Sequence, residues 1–184
     1  MTLDGDRLYI AMAGHHQIWM LNLKEKQLGP YAGNGRETIG DGALRRAMFA
    51  QPSGLASDGK HLYVADSEIS AIRKVPLDPE GKVETLVGRG LFVFGDVDGP
   101  GQVEDDPLKL KTEARLQHAL GVTYADGKLY FRYQDGTMAL IDANPEEYHV
   151  SGTFKIPVSA GPSWPHPVIS GGRLYLREQD TLLV

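Results

Sequence analysis

The chain has 184 residues, 19 basic and 24 acidic side chains, a net charge of −5 and no cysteine. That length suits one domain, the mild acidity offers no basic field for nucleic acid, and disulfides, thiol chemistry and cysteine metal sites are excluded. No apolar run reaches the ~20 residues that span a bilayer, and MTLDGDRLYI lacks the regions of a signal peptide, so an exported parent would carry its signal elsewhere.

Glycine (22) and proline (11) punctuate short β-rich runs. The pair Leu-Tyr begins at 8, 62, 129 and 174, in steps of 54, 67 and 45 residues, and the surrounding residues repeat with it. The clearest copy is Gly54 to Leu77, GLASDGKHLYVADSEISAIRKVPL. Self-similarity at this spacing predicts a repeat fold whose units bury one another.

In chain order, Asp4-Gly5-Asp6 reads as a turn, Arg7 to Ala11 as the first strand, and Gly14-His15-His16 as a second turn. Ile18 to Leu23 is apolar on both faces, with Ile18 and Met20 on one and Trp19, Leu21 and Leu23 on the other, which predicts a strand covered on both sides. A polar turn and the return strand Leu28 to Ala32 follow. In the connection Gly33 to Gln51, Asp41 as a cap and Leu44, Ala47 and Met48 at helical spacing predict a short helix over 43–50. The second copy supplies strands to either side of Asp58-Gly59, at Leu62 to Ala65, at Ala71 to Leu77 and at Val83 to Val87.

Gly88 to His118 is a long insertion whose second half predicts a helix. Its end aligns with the end of the first connection, Ala47–Leu55 against Ala114–Val122. Strands then read at Gly121 to Tyr124, Leu129 to Tyr133, Met138 to Ile141 and Gly152 to Ile156, and, after the Pro-rich bend Ser159 to Pro167, at Val168-Ile169, Arg173 to Leu176 and Thr181 to Val184. Counted by copy this is three, four, four and three strands. The predicted fold is all-β: β-propeller blades of four antiparallel strands, about three and a half of them, incomplete or open, with a short helix in the inter-blade insertions. The count points to a fragment of a larger propeller or an open arc, whose free blade edges invite self-association.

SGLASDGKHLYVADSEISAIRKVPL followed by VETLVG resembles an NHL repeat, and GNGRETIGDGALRRAMFAQP is similar to the long connection of NHL propellers that accompany thioredoxin-like domains. The resemblance covers residues 1–128. From 129 to 184, GKLYFRYQDGTMALIDANPEEYHVSGTFKIP and SWPHPVISGGRLYLREQDTLLV resemble pyrroloquinoline-quinone-like propeller repeats, continuing the same array. Both resemblances imply a propeller in a mostly binding or scaffolding role, and the second, to repeats of bacterial proteins, implies a bacterial source. The calcium site and tryptophan platform of quinone enzymes are not matched by Trp19 and Trp164, so no cofactor is implied.

Candidate binding residues lie in the inter-strand loops and the final bend. Asp66 and Glu68 follow the second strand of their blade, where Asp-Ser chemistry most simply makes a turn. His15 and His16 occupy the matching loop of the first copy; adjacent histidines diverge and do not chelate one ion together, so no metal site is assigned. Trp164 and His166, in Trp-Pro-His-Pro, form a rigid aromatic lead into the last copy. Arg45, Arg46, Arg73, Lys74 and Arg132 are scattered and read as solvated charges. No catalytic constellation, phosphate loop or nucleotide fingerprint is present. The resulting expectation is a non-enzymatic module binding a protein or polymer on one propeller face, without nucleic acid or membrane insertion. Two alternatives stand beside it: a metal-dependent lyase or hydrolase with its site at the propeller centre, and a structural segment of a thioredoxin-linked redox protein.

Overall fold

The computed structural model describes residues 1–88, 91, 99–100, 119–133, 135–143, 147–157 and 165–184. Four antiparallel sheets follow one another along the chain in a propeller arrangement. Blade 1 holds β1 (Thr2–Asp4), β2 (Arg7–Met12), β3 (Gln17–Asn22) and β4 (Gln27–Ala32). A two-residue strand, β5 (Gly42–Ala43), lies in the connection. Blade 2 holds β6 (Pro52–Ser57), β7 (His61–Asp66), β8 (Ala71–Pro76) and β9 (Lys82–Val87), and β5 adds to its outer edge beside β9. Beyond it, β10 (Gly99–Pro100) pairs with β14 (Glu147–Tyr148). Blade 3 holds β11 (Ala119–Ala125), β12 (Lys128–Tyr133), β13 (Thr137–Asp142) and β15 (Val150–Lys155). Blade 4 holds β16 (Val168–Ser170), β17 (Arg173–Glu178) and β18 (Thr181–Leu183).

The turn chemistry explains the strand breaks. Gly5, Gly59, Gly127 and Gly171-Gly172 take the left-handed conformation between the first two strands of each blade. In blade 2, Asp58 stiffens this turn: its carboxylate accepts the N–H groups of Lys60 (2.7 Å) and His61 (2.6 Å) and the Tyr63 hydroxyl (3.0 Å).

The blades pack through a repeated division of labour. Tyr9, Tyr63, Tyr130 and Tyr175, the four tyrosines of the Leu-Tyr pairs, all sit on the second strand of their blade and share one face. The Leu of each pair shares the opposite face. Tyr9 and Ile18 of blade 1 pack on Leu62, Val64 and Val75 of blade 2. Tyr63, Ala65 and Ile72 of blade 2 pack on Leu129, Phe131 and Ile141 of blade 3. Tyr130 and Met138 of blade 3 pack on Leu174, Leu176 and Leu183 of blade 4. No blade could bury both faces alone, and hydrophobic burial between neighbours is what holds the array. The first strands adjoin most closely: a Cβ on Gly54 would come 2.7 Å from Val122 N, and one on Gly121 would come 2.9 Å from His166 Cα.

Three expectations change. Blade 1 is complete, because Thr2–Asp4 forms a strand in register with Arg7–Tyr9; only Gly5-Asp6 turns. No helix forms over 43–50. One helical hydrogen bond, Ala47 N–H to Ala43 O, is all that survives, and Asp41 does not cap it: its carboxylate bonds instead to the Thr85 N–H (3.1 Å) and hydroxyl (2.7 Å), which pulls β5 onto β9. The helix expected in the second half of 88–118 lies outside the described residues. Ile18 to Leu23 is covered on one side only: Ile18 is fully buried, whereas Leu23 is 44 % exposed on the other.

Candidate binding face

Antiparallel order fixes which loops share an end of the propeller. A chain entering strand one at one end returns to it after strand two and again after strand four. The β2–β3 and β7–β8 loops therefore lie at the same end as the connection 33–51. Hydrogen bonds verify this. The Ser67 N–H reaches Gln51 O (3.3 Å), the Glu68 N–H reaches Ala50 O (3.1 Å), and the Gln51 N–H donates to His16 Nδ1 (3.3 Å).

The connection is folded back and clamped. Gly33 N–H bonds to Leu44 O and Asn34 N–H to Ala47 O, closing it on itself. The clamp is Arg73, on β8, whose guanidinium is fully buried and lies 4.9 Å from the centre of the Phe49 ring. Nη1 donates to Met48 O (2.7 Å) and Asp66 Oδ2 (3.2 Å); Nη2 donates to Gly40 O (2.9 Å) and Asp41 Oδ1 (3.0 Å). The other Asp66 oxygen accepts the Ala50 N–H at 2.8 Å. One cation thus ties the Asp66 carboxylate of β7 to one carboxylate and two carbonyls of a segment with little regular structure of its own. Burial pushes the Asp66 carboxyl up to about 6, with Arg73 pulling the other way.

Three of the residues singled out in the sequence meet around Ala50-Gln51: Asp66 through its side chain, Glu68 through its N–H and His16 through its ring. Asp66 has no exposed surface, so it holds the face together and offers nothing to a ligand. His15 is exposed and stands edge-on to Trp19, 5.8 Å between ring centres. His166 is exposed at the entry to β16, in the place that glycine takes in blades 2 and 3. Trp164 lies outside the described residues.

Arg73 and Arg132 correct the expectation of solvated charges. Arg132 is also buried, crossing from blade 3 to blade 4 to bond Arg177 O (2.8 Å) and the Glu178 carboxylate. Arg45 and Arg46 are exposed, as expected of them. Arg73 was missed as the shared partner of Asp66 and Asp41. The available signal was Arg73 itself, a charge on the strand face otherwise formed by Val64 and Val75.

What the face presents outward is polar and preorganised: His15, Asn34, Arg36, Glu37 and Arg46 are exposed on a backbone held from beneath. Gln51 (φ +60°), His16 (φ +54°) and Ser70 (φ +48°) take left-handed conformations there. Among the described residues no three His, Asp or Glu side chains gather as a metal cluster would require.

No family model matches the chain. Human NHL repeat-containing protein 2 is 43 % identical over 141 residues, covering 65 % of this chain and 18 % of that protein. The chloroplastic protein SUPPRESSOR OF QUENCHING 1 of Arabidopsis thaliana is 41 % identical over 135 residues, covering 68 % of this chain and 12 % of that protein. The chain therefore spans under a fifth of the length of these relatives. Among solved structures, a luciferin-regenerating enzyme superposes with a TM-score of 0.57 at 16 % identity, over 97 % of this chain and 54 % of that one, a likeness of fold alone. Repeat residues, antiparallel sheets in a propeller arrangement and these relatives agree: the chain is an NHL-repeat β-propeller array.

Proposed function

We propose that the chain is a non-enzymatic binding module and that its ligand, a protein or polymer, docks on the end formed by the 33–51 connection and the 13–16 and 67–70 loops. The observation that carries this reading is the Arg73 clamp. Buried ion pairing is spent on immobilising a loop whose outer side is polar and exposed, and left-handed non-glycine residues concentrate beside it. A rigid polar loop surface lowers the ordering cost of recognition. The strongly perturbed carboxylate, Asp66, is sealed from any substrate, which argues against using it for proton transfer.

The test compares two triple variants of the immobilised chain with candidate protein and polysaccharide ligands. His15→Ala/Arg36→Ala/Arg46→Ala alters the proposed end; Lys26→Ala/Lys60→Ala/Lys82→Ala alters the turns at the opposite end. Retention lost only in the first supports the reading. Equal loss in both, or a stoichiometric zinc or calcium ion found by elemental analysis, overturns it in favour of a different face or of a metal-dependent lyase or hydrolase.

A further inference from the structure

The 33–51 connection divides by charge. Beside β6, the Glu37 carboxylate accepts a hydrogen bond from Gln51 Nε2–H (3.4 Å), and Glu68 is tied by its N–H to Ala50 O (3.1 Å). Asp41 and Asp66 are taken up by Arg73 beneath. Toward β4 stand Arg36, Arg45 and Arg46, all exposed, and among the described residues no carboxylate forms an ion pair with any of them. Arg45 turns to Pro30 O on β4. Arg36 and Arg46 are drawn together by one side chain. Asn34 Oδ1 accepts the Arg36 N–H (2.9 Å), and Asn34 Nδ2–H donates to Arg46 O (3.3 Å). The same two residues are held at their other backbone atoms, Arg36 O by the Thr38 N–H (3.2 Å) and the Arg46 N–H by Ala43 O (2.8 Å). The 13–16 loop closes in beside them: a Cβ on Gly35, at φ +86°, would come 3.7 Å from His15 O.

We propose that this corner, within the binding role given above and resting on it, receives an acidic protein segment whose Asp or Glu carboxylates bind the Arg36 and Arg46 guanidiniums. A guanidinium is a planar fork that meets a carboxylate through two parallel hydrogen bonds. Asn34 fixes where both forks start, so only the side chains remain to be ordered when the segment docks. Glu37 and Glu68, on the β6 side, turn such a segment away from Gln51 and onto the arginines, because like charges repel. A nucleic acid fits less well. Its evenly charged backbone needs a basic field longer than two arginines, and this chain has a net charge of −5. The aromatic ring of the connection, Phe49, is fully buried and presents no face to a base.

The experiment is the fluorescence anisotropy of labelled poly-glutamate titrated with the 184-residue chain, with labelled poly-uridine as the comparison. Poly-glutamate is expected to bind, poly-uridine to bind much more weakly, and rising salt to weaken the complex. Arg36→Ala/Arg46→Ala should cost about 100-fold in affinity, about tenfold for each fork lost. Arg36→Lys/Arg46→Lys keeps the charge without the fork and should recover only part of that loss. Asn34→Ala changes no charge, yet it should weaken binding while the thermal melt stays near that of wild type. The opposite-end variant Lys26→Ala/Lys60→Ala/Lys82→Ala should bind as wild type does. No binding of poly-glutamate, equal binding of poly-uridine, or an Arg36→Ala/Arg46→Ala chain that binds like wild type overturns the proposal. If another protein or polysaccharide is then still retained through the loop end, the binding role stands without the acidic partner; poly-glutamate binding lost only in the lysine variant sinks both.

Discussion

Replacing Arg73 with methionine removes the cation under the proposed binding face and keeps most of the side-chain volume over Phe49. The wild-type guanidinium makes four hydrogen bonds, at 2.7 to 3.2 Å, two of them to carboxylates. Asp66 is left fully buried with the Ala50 N–H as its remaining hydrogen-bond donor of the two described. Breaking a buried pair from one side costs about 3–5 kcal/mol, because the surviving charge keeps its desolvation penalty. At pH 7.5 Asp66 escapes part of that by taking up a proton, so the lower end, about 3 kcal/mol, is expected. Urea unfolding followed by circular dichroism gives the global value. Trypsin gives the local one: Arg36, Arg45 and Arg46 are exposed in the clamped segment, and releasing about 3 kcal/mol raises the open population, and with it cleavage there, roughly 100-fold. Adding Asp66→Asn removes the orphaned carboxylate and recovers part of the loss. An Arg73→Met chain within 1 kcal/mol of wild type, with unchanged cleavage, would refute the idea that this residue holds the connection.

Three further outcomes are expected. Gly54→Ala pushes a methyl group to 2.7 Å from Val122 N, where backbone cannot retreat, and should lower stability by about 1–3 kcal/mol in a thermal melt; the same change at Gly14, which has nothing within 4 Å, serves as control. Arg132→Met alone should cost about 3–5 kcal/mol by removing the cation paired with buried Glu178 between blades 3 and 4, and Arg132→Met/Glu178→Leu should recover part of it in a double-mutant cycle; additivity would contradict a coupled pair. Asp66, pushed up to about 6 from 3.8, binds a proton in the folded chain at pH values where the unfolded chain has released it. Wild-type stability relative to Asp66→Asn should therefore fall as pH rises through that window, by up to about 1.4 kcal/mol per pH unit, and level off above it; a difference that rises with pH would count against the assignment.

The Leu-Tyr repeat was enough to specify β-strands, their grouping in fours and the propeller class, because two-residue alternation and Asp-Gly turns act within a few residues of chain. The same locality explains what was misread. Thr2–Asp4 is too short to show a period and becomes a strand only because Arg7–Tyr9 offers it a ladder. Residues 43–50 carry a helical pattern, yet Asp41 is drawn to Thr85, 44 positions away, and the helix yields to β5. Arg73 resembled any surface arginine until its partners came from Gly40, Asp41, Met48 and Asp66, spread over one connection and one strand. Which faces end up covered was equally a tertiary matter: blade 1 and blade 2 carry similar apolar rows, and only packing distinguishes the row that a neighbour hides from the row left in water. Sequence periodicity dictates the shape of a repeat; burial and long-range charge pairing belong to the assembled array, since both depend on residues brought together from distant parts of the chain.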